Sequence, residues 1–272
     1  MRYPNIIRNI FQHYLTKKKM LLLKNISVTF NKESQFQLKA LSDIDIEFHS
    51  NDWTYIIGGN GSGKSTLLKI ISGELKTDTG EIRLNNKTIN NIPFHKRADK
   101  ILFIEQDITK NLVGSMTVYE NLVLGSEQNV FVSEFFPYKQ KKQLNKIKEL
   151  LSEFGLGLEN RVNQQVRFLS GGEQQVVVTA RIMLRKPQII LMDEFTSALD
   201  QKIAPLIIKK IKDFVTASQI SVIAVSHDYS IIKDTGDRVI ILANGKITHD
   251  ISKGMHELTE KFILDKFYER TK

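Results

Sequence analysis

The residues with the clearest chemistry form the stretch GGNGSGKST. It fits the pattern G-x-x-x-x-G-K-[ST], and it follows an apolar strand-like run and precedes an apolar helical run. Such glycines let backbone N–H groups turn toward phosphate oxygens, Lys64 neutralises phosphate charge, and Ser65 offers a hydroxyl to Mg²⁺. The alternative is a plain glycine turn. The stretch predicts a phosphate site formed by Gly58, Gly59, Asn60, Gly61, Ser62, Gly63, Lys64, Ser65 and Thr66.

Two later stretches place acid–base groups after apolar strands. In QIILMDEF, Asp193 is expected to hold Mg²⁺, and Glu194 to orient or polarise an attacking water. In SVIAVSHD a second strand brings His227 to the same sheet edge, where it would sense a γ-phosphate. An ordinary surface turn and a polar surface histidine are the alternatives. Together with the glycine stretch, these residues predict nucleotide hydrolysis.

A second glycine turn, LSGGEQQ, precedes a helical run. Ser170, Gly171 and Gly172 would cap that helix and direct its free N–H groups and positive dipole end toward an anion. Taken alone, the stretch is more typical of an N-capped surface helix.

Alternating strand and helix patterns position these groups. Strand patterns occupy 20–30, 40–48, 53–58, 188–193 and 221–227, and helical runs occupy 65–73, 139–154 and 172–184. This alternation predicts a parallel sheet with helices on both faces. The earliest strands indicate an added antiparallel β-subdomain. Because no strand pattern is strong between residues 107 and 186, that segment is expected to be a mainly helical insert.

Composition limits the class of protein. The chain has 272 residues, is 41% hydrophobic and carries a formal net charge of +9, which suits anionic partners without choosing among them. It has no cysteine, so disulfides and thiolate metal sites are excluded. The longest apolar runs, such as 188–192 and 239–243, are too short to span a bilayer, so any membrane role is expected to be peripheral.

Residues 1–19 are basic, without acids, and have apolar residues at roughly helical spacing. They are interpreted either as a membrane-surface helix or transit-type leader, or as a frayed extension before a domain that begins at Met20. Residues 251–272 are expected to form a C-terminal helical tail.

Taken in order, the motifs GGNGSGKST, LSGGE, IILMDE, SALD and SHD resemble those of the ATP-binding subunits of ABC transporters. The resemblance runs from Met20 to about His249. It implies an α/β fold with a P-loop NTPase (RecA-like) parallel-sheet core, an added antiparallel β-subdomain and a helical ABC signature subdomain. The ABC ATPase domain is then 20–250, with its helical subdomain at about 107–186. In that family two ATPase subunits pack head to tail, and the signature of one closes over the ATP of the other, which assigns Ser170, Gly171, Gly172 and Glu173 to nucleotide binding.

The resemblance also implies roles for four further residues. Phe30 falls at the aromatic that stacks on adenine, and Gln106 at the glutamine that touches Mg²⁺ and the attacking water. Asp200 falls at the aspartate of the turn that crosses the dimer interface, and His227 at the switch histidine. For the first three, the alternatives are an ordinary core aromatic, a polar loop residue and a helix cap.

Several positions depart from the family pattern. Glu173 stands where glutamine is commoner, Phe195 where many members have proline, and NDW where Gly-Glu is usual before the sheet strand. The segment after the signature lacks an arginine that is often found there. None of these changes removes a catalytic group. The stretches NDWTYIIGGNG and SMTVYENLVLG resemble the ATPase of a bacterial uptake system for aromatic amino acids or similar small solutes.

The implied ligands are ATP and Mg²⁺. The implied partners are a second ATPase subunit in a homodimer, integral membrane permease subunits and a substrate-binding protein, with no nucleic acid. The implied location is peripheral, on the cytoplasmic face of the cell membrane. The alternatives are a soluble regulatory or assembly ATPase, and the ATPase of an exporter or lipoprotein-release system.

Overall fold

The computed structural model describes residues 18–125, 137–195, 203–253 and 258–268. These residues form two compact units. The first comprises the described residues up to Phe103, together with Gln188–Glu194 and those from Gln219 onward. The second comprises the described parts of Ile104–Pro187 and Phe195–Ser218. Residues 1–17 of the basic extension lie outside the described residues.

The strands follow from alternating or continuous apolar runs. In chain order they are β1 Lys19–Phe30, β2 Leu38–His49, β3 Trp53–Ile57, β4 Thr79–Leu84, β5 Lys87–Thr88, β6 Ile101–Ile104, β7 Ile189–Asp193, β8 Ser221–Val225, β9 Arg238–Ala243 and β10 Lys246–Ser252. Because β10 continues to Ser252, the first two residues of the expected C-terminal tail belong to a strand.

The described strands form two sheets. One has the order β2-β1-β4-β5, and all of its pairs are antiparallel. The expected antiparallel β-subdomain is therefore confirmed. The other has the order β10-β9-β3-β8-β7-β6. In this sheet β3 pairs in parallel with β8 and β9, β7 pairs in parallel with β8, and β10 returns antiparallel to β9.

The parallel strands β3, β7 and β8 are buried at every position. Their continuous apolar pattern is that of strands covered on both faces. Since parallel strands end at the same edge of a sheet, the residues after Ile57, Asp193 and Val225 emerge together. This edge carries most of the candidate catalytic groups.

The helices are α1 Lys64–Ser72, α2 Phe94–Arg97, α3 Val118–Gly125, α4 Pro137–Ser152, α5 Gly171–Arg185, α6 Ala204–Ser218, α7 Tyr229–Thr235 and α8 Glu260–Tyr268. The three helical runs expected from the sequence correspond to α1, α4 and α5, with ends shifted by one or two residues. In the second unit, α5 contacts α3, α4 and α6. In the first unit, α1 contacts β7 and β8. Among the described helices, none has the length and apolar character needed to cross a membrane.

Candidate functional site

The glycine-rich loop connects the buried strand β3 to α1. Gly63, which precedes the helix, has φ +103°, and a Cβ there would lie 2.5 Å from the carbonyl oxygen of Ala40. At Gly58, a Cβ would clash with the carbonyl oxygen of Leu242. Side chains are therefore excluded at both positions, as a loop that wraps phosphate with its backbone requires.

Lys64 is the first residue of α1, and its side chain lies in the same loop. Its Nζ donates to the carbonyl oxygens of Gly58 (2.9 Å) and Gly59 (3.1 Å). No side chain caps the N-terminus of α1, so the first-turn N–H groups are not taken by a cap. Burial lowers the pKa of Lys64, and the nearby carboxylates of Glu194 and Asp193 oppose that shift. A cation and a helix N-terminus thus lie side by side, as phosphate binding requires.

Asp193 ends β7, with its side chain buried beside the start of α1. Burial raises the pKa of the Asp193 carboxyl, while a hydrogen bond from the Ser65 side chain acts to lower it. A carboxylate and a hydroxyl are oxygen donors of the kind that Mg²⁺ prefers. In the parts of the chain that the structure describes, no group of three or more His, Cys, Asp or Glu side chains is arranged to hold a metal ion. Asp193 and Ser65 would supply two oxygen ligands to a Mg²⁺ ion whose other ligands come from phosphate and water.

Glu194 and His227 follow neighbouring strands and meet. His227 Nε2 lies 3.1 Å from Glu194 Oε1. Glu194 adopts φ +48°, which is uncommon for a residue with a side chain, and its N–H donates to the carbonyl of Val225. The backbone thus turns sharply at the strand end and holds the carboxylate against the imidazole. A carboxylate oriented by a histidine suits proton transfer from water.

The second glycine turn forms a complete capping box at the start of α5. Ser170 Oγ accepts from the N–H of Glu173 (3.3 Å), and Glu173 Oε2 accepts from the N–H of Ser170 (2.8 Å). The box does not use the N–H groups of Gly171 and Gly172. A Cβ at Gly171 would have no atom within 4 Å, whereas a Cβ at Gly172 would lie 2.5 Å from the Ile203 side chain. Space is therefore restricted at Gly172 and open at Gly171.

The second oxygen of Glu173 has its own partner. Glu173 Oε1 accepts from Nη2 of Arg161, which follows a short 3₁₀ turn. Burial acts to raise the pKa of Glu173, but the hydrogen bonds from Arg161 and Ser170 hold that pKa below its usual value. Arg161 was not predicted from the sequence because it lies twelve positions before Glu173, beyond any local helix spacing.

The remaining predicted site residues lie in both units or outside the described residues. Phe30 is half-buried and packs against the hydrophobic core of the first unit. Gln106 is exposed and lies in the second unit, as do Ser170, Gly171, Gly172 and Glu173. Asp200 lies outside the described residues. Within the first unit, the structure brings together Lys64, Ser65, Asp193, Glu194 and His227.

The residues that hold the Gln106 loop carry no recognisable signal in the sequence. Asn111 Oδ1 accepts from the N–H of Glu105 (3.2 Å), and Asn111 Nδ2 donates to the carbonyl of Glu105 (3.0 Å). Arg181 of α5 donates to the backbone carbonyl of Asn111. An asparagine in a polar loop resembles any turn residue. The hydrogen bonds that Asn111 makes on both sides of Gln106 are therefore identified from the structure and not from the sequence.

Comparisons with known proteins agree with this geometry. The family described as ABC transporter matches residues 41–197. The chain is 33% identical to a tyrosine transport ATP-binding protein of Clostridioides difficile, over 91% of this chain and 98% of the relative. It is 28% identical to a methionine import ATP-binding protein of Streptococcus agalactiae, over 92% of this chain and 70% of the relative.

A solved structure is similar over most of its length. A dimeric ATP-binding cassette in a post-hydrolysis state, bound to ADP and Pi, aligns with a TM-score of 0.71 and 30% identity. The match covers 86% of this chain and 98% of that one. Sequence, fold and the arrangement of the phosphate loop therefore agree. The chain belongs to the ABC transporter family, as one of its ATP-binding, ATP-hydrolysing subunits.

Proposed function

We propose that this chain is the ATPase subunit of an importer for amino acids or similar small solutes, and that it works as a homodimer on separate membrane-spanning subunits. The observation that carries the proposal is the pairing of Glu194 with His227 at the edge of the sheet that also holds Lys64 and Asp193. That arrangement provides phosphate binding and water activation within one unit. The named relatives act in tyrosine transport and methionine import, which favours an importer over the regulatory or exporter alternatives.

Binding begins at the glycine loop. Its backbone N–H groups and the start of α1 contact the phosphates, and Lys64 exchanges its bonds to the Gly58 and Gly59 carbonyls for phosphate oxygens. Ser65, Asp193 and Gln106 would hold Mg²⁺, which neutralises charge on the transferred phosphoryl group. Phe30 presents an aromatic face for adenine.

Hydrolysis uses the two groups at the strand ends. Glu194 accepts a proton from the attacking water or orients that water, and Gln106 contributes to its position. His227, whose Nε2 lies 3.1 Å from Glu194 Oε1, would hold the γ-phosphate when ATP is bound. Removal of the carboxylate therefore affects the chemical step and leaves the binding loop intact.

The second glycine turn completes the site of a second copy. Ser170, Gly171, Gly172 and Glu173 open a helix whose N-terminus suits the γ-phosphate held by the partner, and Asp200 would cross the same interface. Each chain carries both halves of the site, so two identical chains form two complete sites by C2 symmetry. Nucleotide binding then favours the closed dimer, and hydrolysis releases it.

The transport partner is tested by co-purification. The tagged Glu194→Gln chain is isolated with ATP and Mg²⁺ from detergent-solubilised membranes of its source, and the material that co-purifies is identified. A multispanning protein in stoichiometric amount is the expected result, and a substrate-binding protein would identify the solute. A soluble dimer alone, or one that carries nucleic acid or a soluble protein, would contradict the importer and support a regulatory ATPase.

A further inference from the structure

The signature helix of this chain carries an acidic group where an anion is expected to bind. Glu173 is the third residue of α5, and its side chain is 19% exposed. A negative charge in the first turn stabilises a helix through its dipole, but the same charge opposes the approach of a phosphate to that helix end. A phosphate can therefore approach this helix end only if the Glu173 charge is balanced while the capping box is kept.

Arg161 balances the charge of Glu173. Its guanidinium bonds Glu173 Oε1, while Glu173 Oε2 is taken by the N–H of Ser170. Both carboxylate oxygens thus have donors within the chain, and the carboxylate charge is balanced by a guanidinium. Because the capping box does not use the N–H groups of Gly171 and Gly172, these groups keep their role toward an anion.

A second arginine in the same segment is arranged differently. The Arg167 guanidinium lies over the ring of Phe168, with Cζ 4.9 Å from the ring centroid. Arg167 is exposed and precedes Ser170 by three positions. It has the same charge and lies near the same turn, but it is stacked on an aromatic ring, so it is a matched control for Arg161.

We propose that Arg161 is a positioning residue for the signature turn, which neutralises Glu173 so that the start of α5 accepts the γ-phosphate bound by a second copy of this chain. This inference rests on the proposed function. Arg161 would act through Glu173, which its guanidinium contacts, and not by direct contact with nucleotide or metal. Its loss leaves the carboxylate in the cap but uncompensated.

The test measures ATP-driven dimerisation by light scattering in the Glu194→Gln background, with Mg²⁺ present. Arg161→Gln is expected to raise the ATP concentration that gives half of the dimer by about fivefold, the factor typical of one charge at a helix terminus. The defect should shrink as ionic strength rises, because salt screens the freed carboxylate. ATP affinity of the isolated subunit should stay unchanged, since the phosphate loop is untouched.

A second substitution at Glu173 distinguishes a charge effect of Arg161 from a structural one. Glu173→Gln keeps the capping box, because a glutamine oxygen also accepts from the Ser170 N–H, but it has no charge to neutralise. The Arg161→Gln/Glu173→Gln double variant should therefore dimerise within about twofold of Glu173→Gln alone, since the two changes are coupled. Arg161→Lys, which keeps the charge, should remain near the parent, and Arg167→Gln should change the midpoint less than Arg161→Gln does.

Each outcome decides one point. Dimerisation of the Arg161→Gln variant at the parent's ATP concentration overturns the inference. A defect that persists in the double variant, at every ionic strength and with an unchanged thermal midpoint, overturns neutralisation and assigns Arg161 a role in loop shape. Failure of the Glu194→Gln parent itself to dimerise with ATP contradicts the proposed function instead.

Discussion

At the residue scale, the phosphate loop holds a lysine in a place that disfavours its charge. Burial lowers the pKa of Lys64, and only the carboxylates of Asp193 and Glu194 oppose that effect. Its bonds to two carbonyl oxygens keep the ammonium group inside the loop. A phosphate is a better partner for this cation than neutral carbonyls are, since charge-assisted hydrogen bonds are the stronger kind.

Replacement of Lys64 by alanine should therefore weaken ATP binding. A hydrogen bond to a charged group contributes about 1.5–3 kcal/mol, so the dissociation constant should rise about tenfold to a hundredfold. Titration calorimetry of the Lys64→Ala variant measures the change. The Lys87→Ala variant, which removes an exposed lysine from β5, should bind as the parent does. Undiminished ATP affinity in Lys64→Ala would argue against the phosphate loop.

The buried carboxyl of Asp193 is expected to lower the stability of the fold while it supports ATP hydrolysis. Burial raises the pKa of its carboxyl, so the folded chain binds a proton there at higher pH than the unfolded chain does. Above the folded pKa the ionised carboxylate destabilises the fold, and this penalty disappears once pH falls below the unfolded pKa. Asp193→Asn should therefore raise the thermal midpoint of the nucleotide-free protein at neutral pH, and the gain should vanish as pH falls.

The same variant should lose Mg²⁺-dependent ATP hydrolysis. Differential scanning fluorimetry across a pH series, together with a phosphate-release assay, checks both parts. Asp213→Asn, at an exposed position of α6, should change neither quantity. A thermal midpoint of Asp193→Asn below that of the parent at neutral pH would contradict the burial argument.

At this scale, residue type and spacing predict the candidate catalytic and binding groups and miss the residues that contact and position them. Lys64, Ser65, Asp193, Glu194 and His227 were all expected, because each follows a strand or opens a helix. The partners Arg161 and Asn111 were not, since they reach their targets through folded loops. Pairing across loops, over six positions for Asn111 and twelve for Arg161, has no fixed spacing that one sequence would reveal.

At the element scale, α1 is anchored at its far end by a buried arginine. Arg97 is 5% exposed, and burial lowers its pKa. Its guanidinium donates to five backbone carbonyls, those of Ile70, Ile71, Ile89, Asn90 and Ile92. Two of these, the carbonyls of Ile70 and Ile71, lie in the last turn of α1, where the Ile70 carbonyl also accepts from the N–H of Gly73. The helix that begins at the glycine-rich loop is thus held in place at its other end.

Loss of this anchor should destabilise the fold strongly. Arg97→Met keeps side-chain volume but leaves buried carbonyl groups without donors, so the free energy of unfolding should fall by about 3 kcal/mol. Urea denaturation followed by circular dichroism measures it. Arg83→Met, which removes an exposed arginine paired with Glu81, is the control and should unfold as the parent does. Equal unfolding midpoints for the two variants would contradict the anchoring role.

Periodicity predicts most elements but not the unit that each one joins. In α6, the buried residues Ile207, Ile208, Ile211 and Val215 have helical spacing. Yet α6 packs on α5 within the second unit, although β7 of the first unit lies between them in the chain. The expected insert at 107–186 does not include it. Packing between distant segments decides such boundaries.

At the scale of the whole molecule, the proposed function assigns two complementary half-sites to one chain. The phosphate loop, Asp193, Glu194 and His227 lie in one unit, and the signature turn lies in the other. The sequence predicts the family and the nucleotide because both depend on motifs within this chain. The solute cannot be predicted in the same way, since in this proposal it is bound by the membrane-spanning and substrate-binding partners.

The central claim is that ATP joins two copies of this chain and that hydrolysis through Glu194 separates them. The most direct measurement is the molar mass of the Glu194→Gln variant by light scattering, with and without ATP and Mg²⁺, together with its rate of phosphate release. We expect a monomer without nucleotide, a stable dimer with ATP, and phosphate release reduced at least about a hundredfold, as for loss of a general base. A variant that stays monomeric with ATP bound, or that hydrolyses ATP at the parent's rate, would contradict the account.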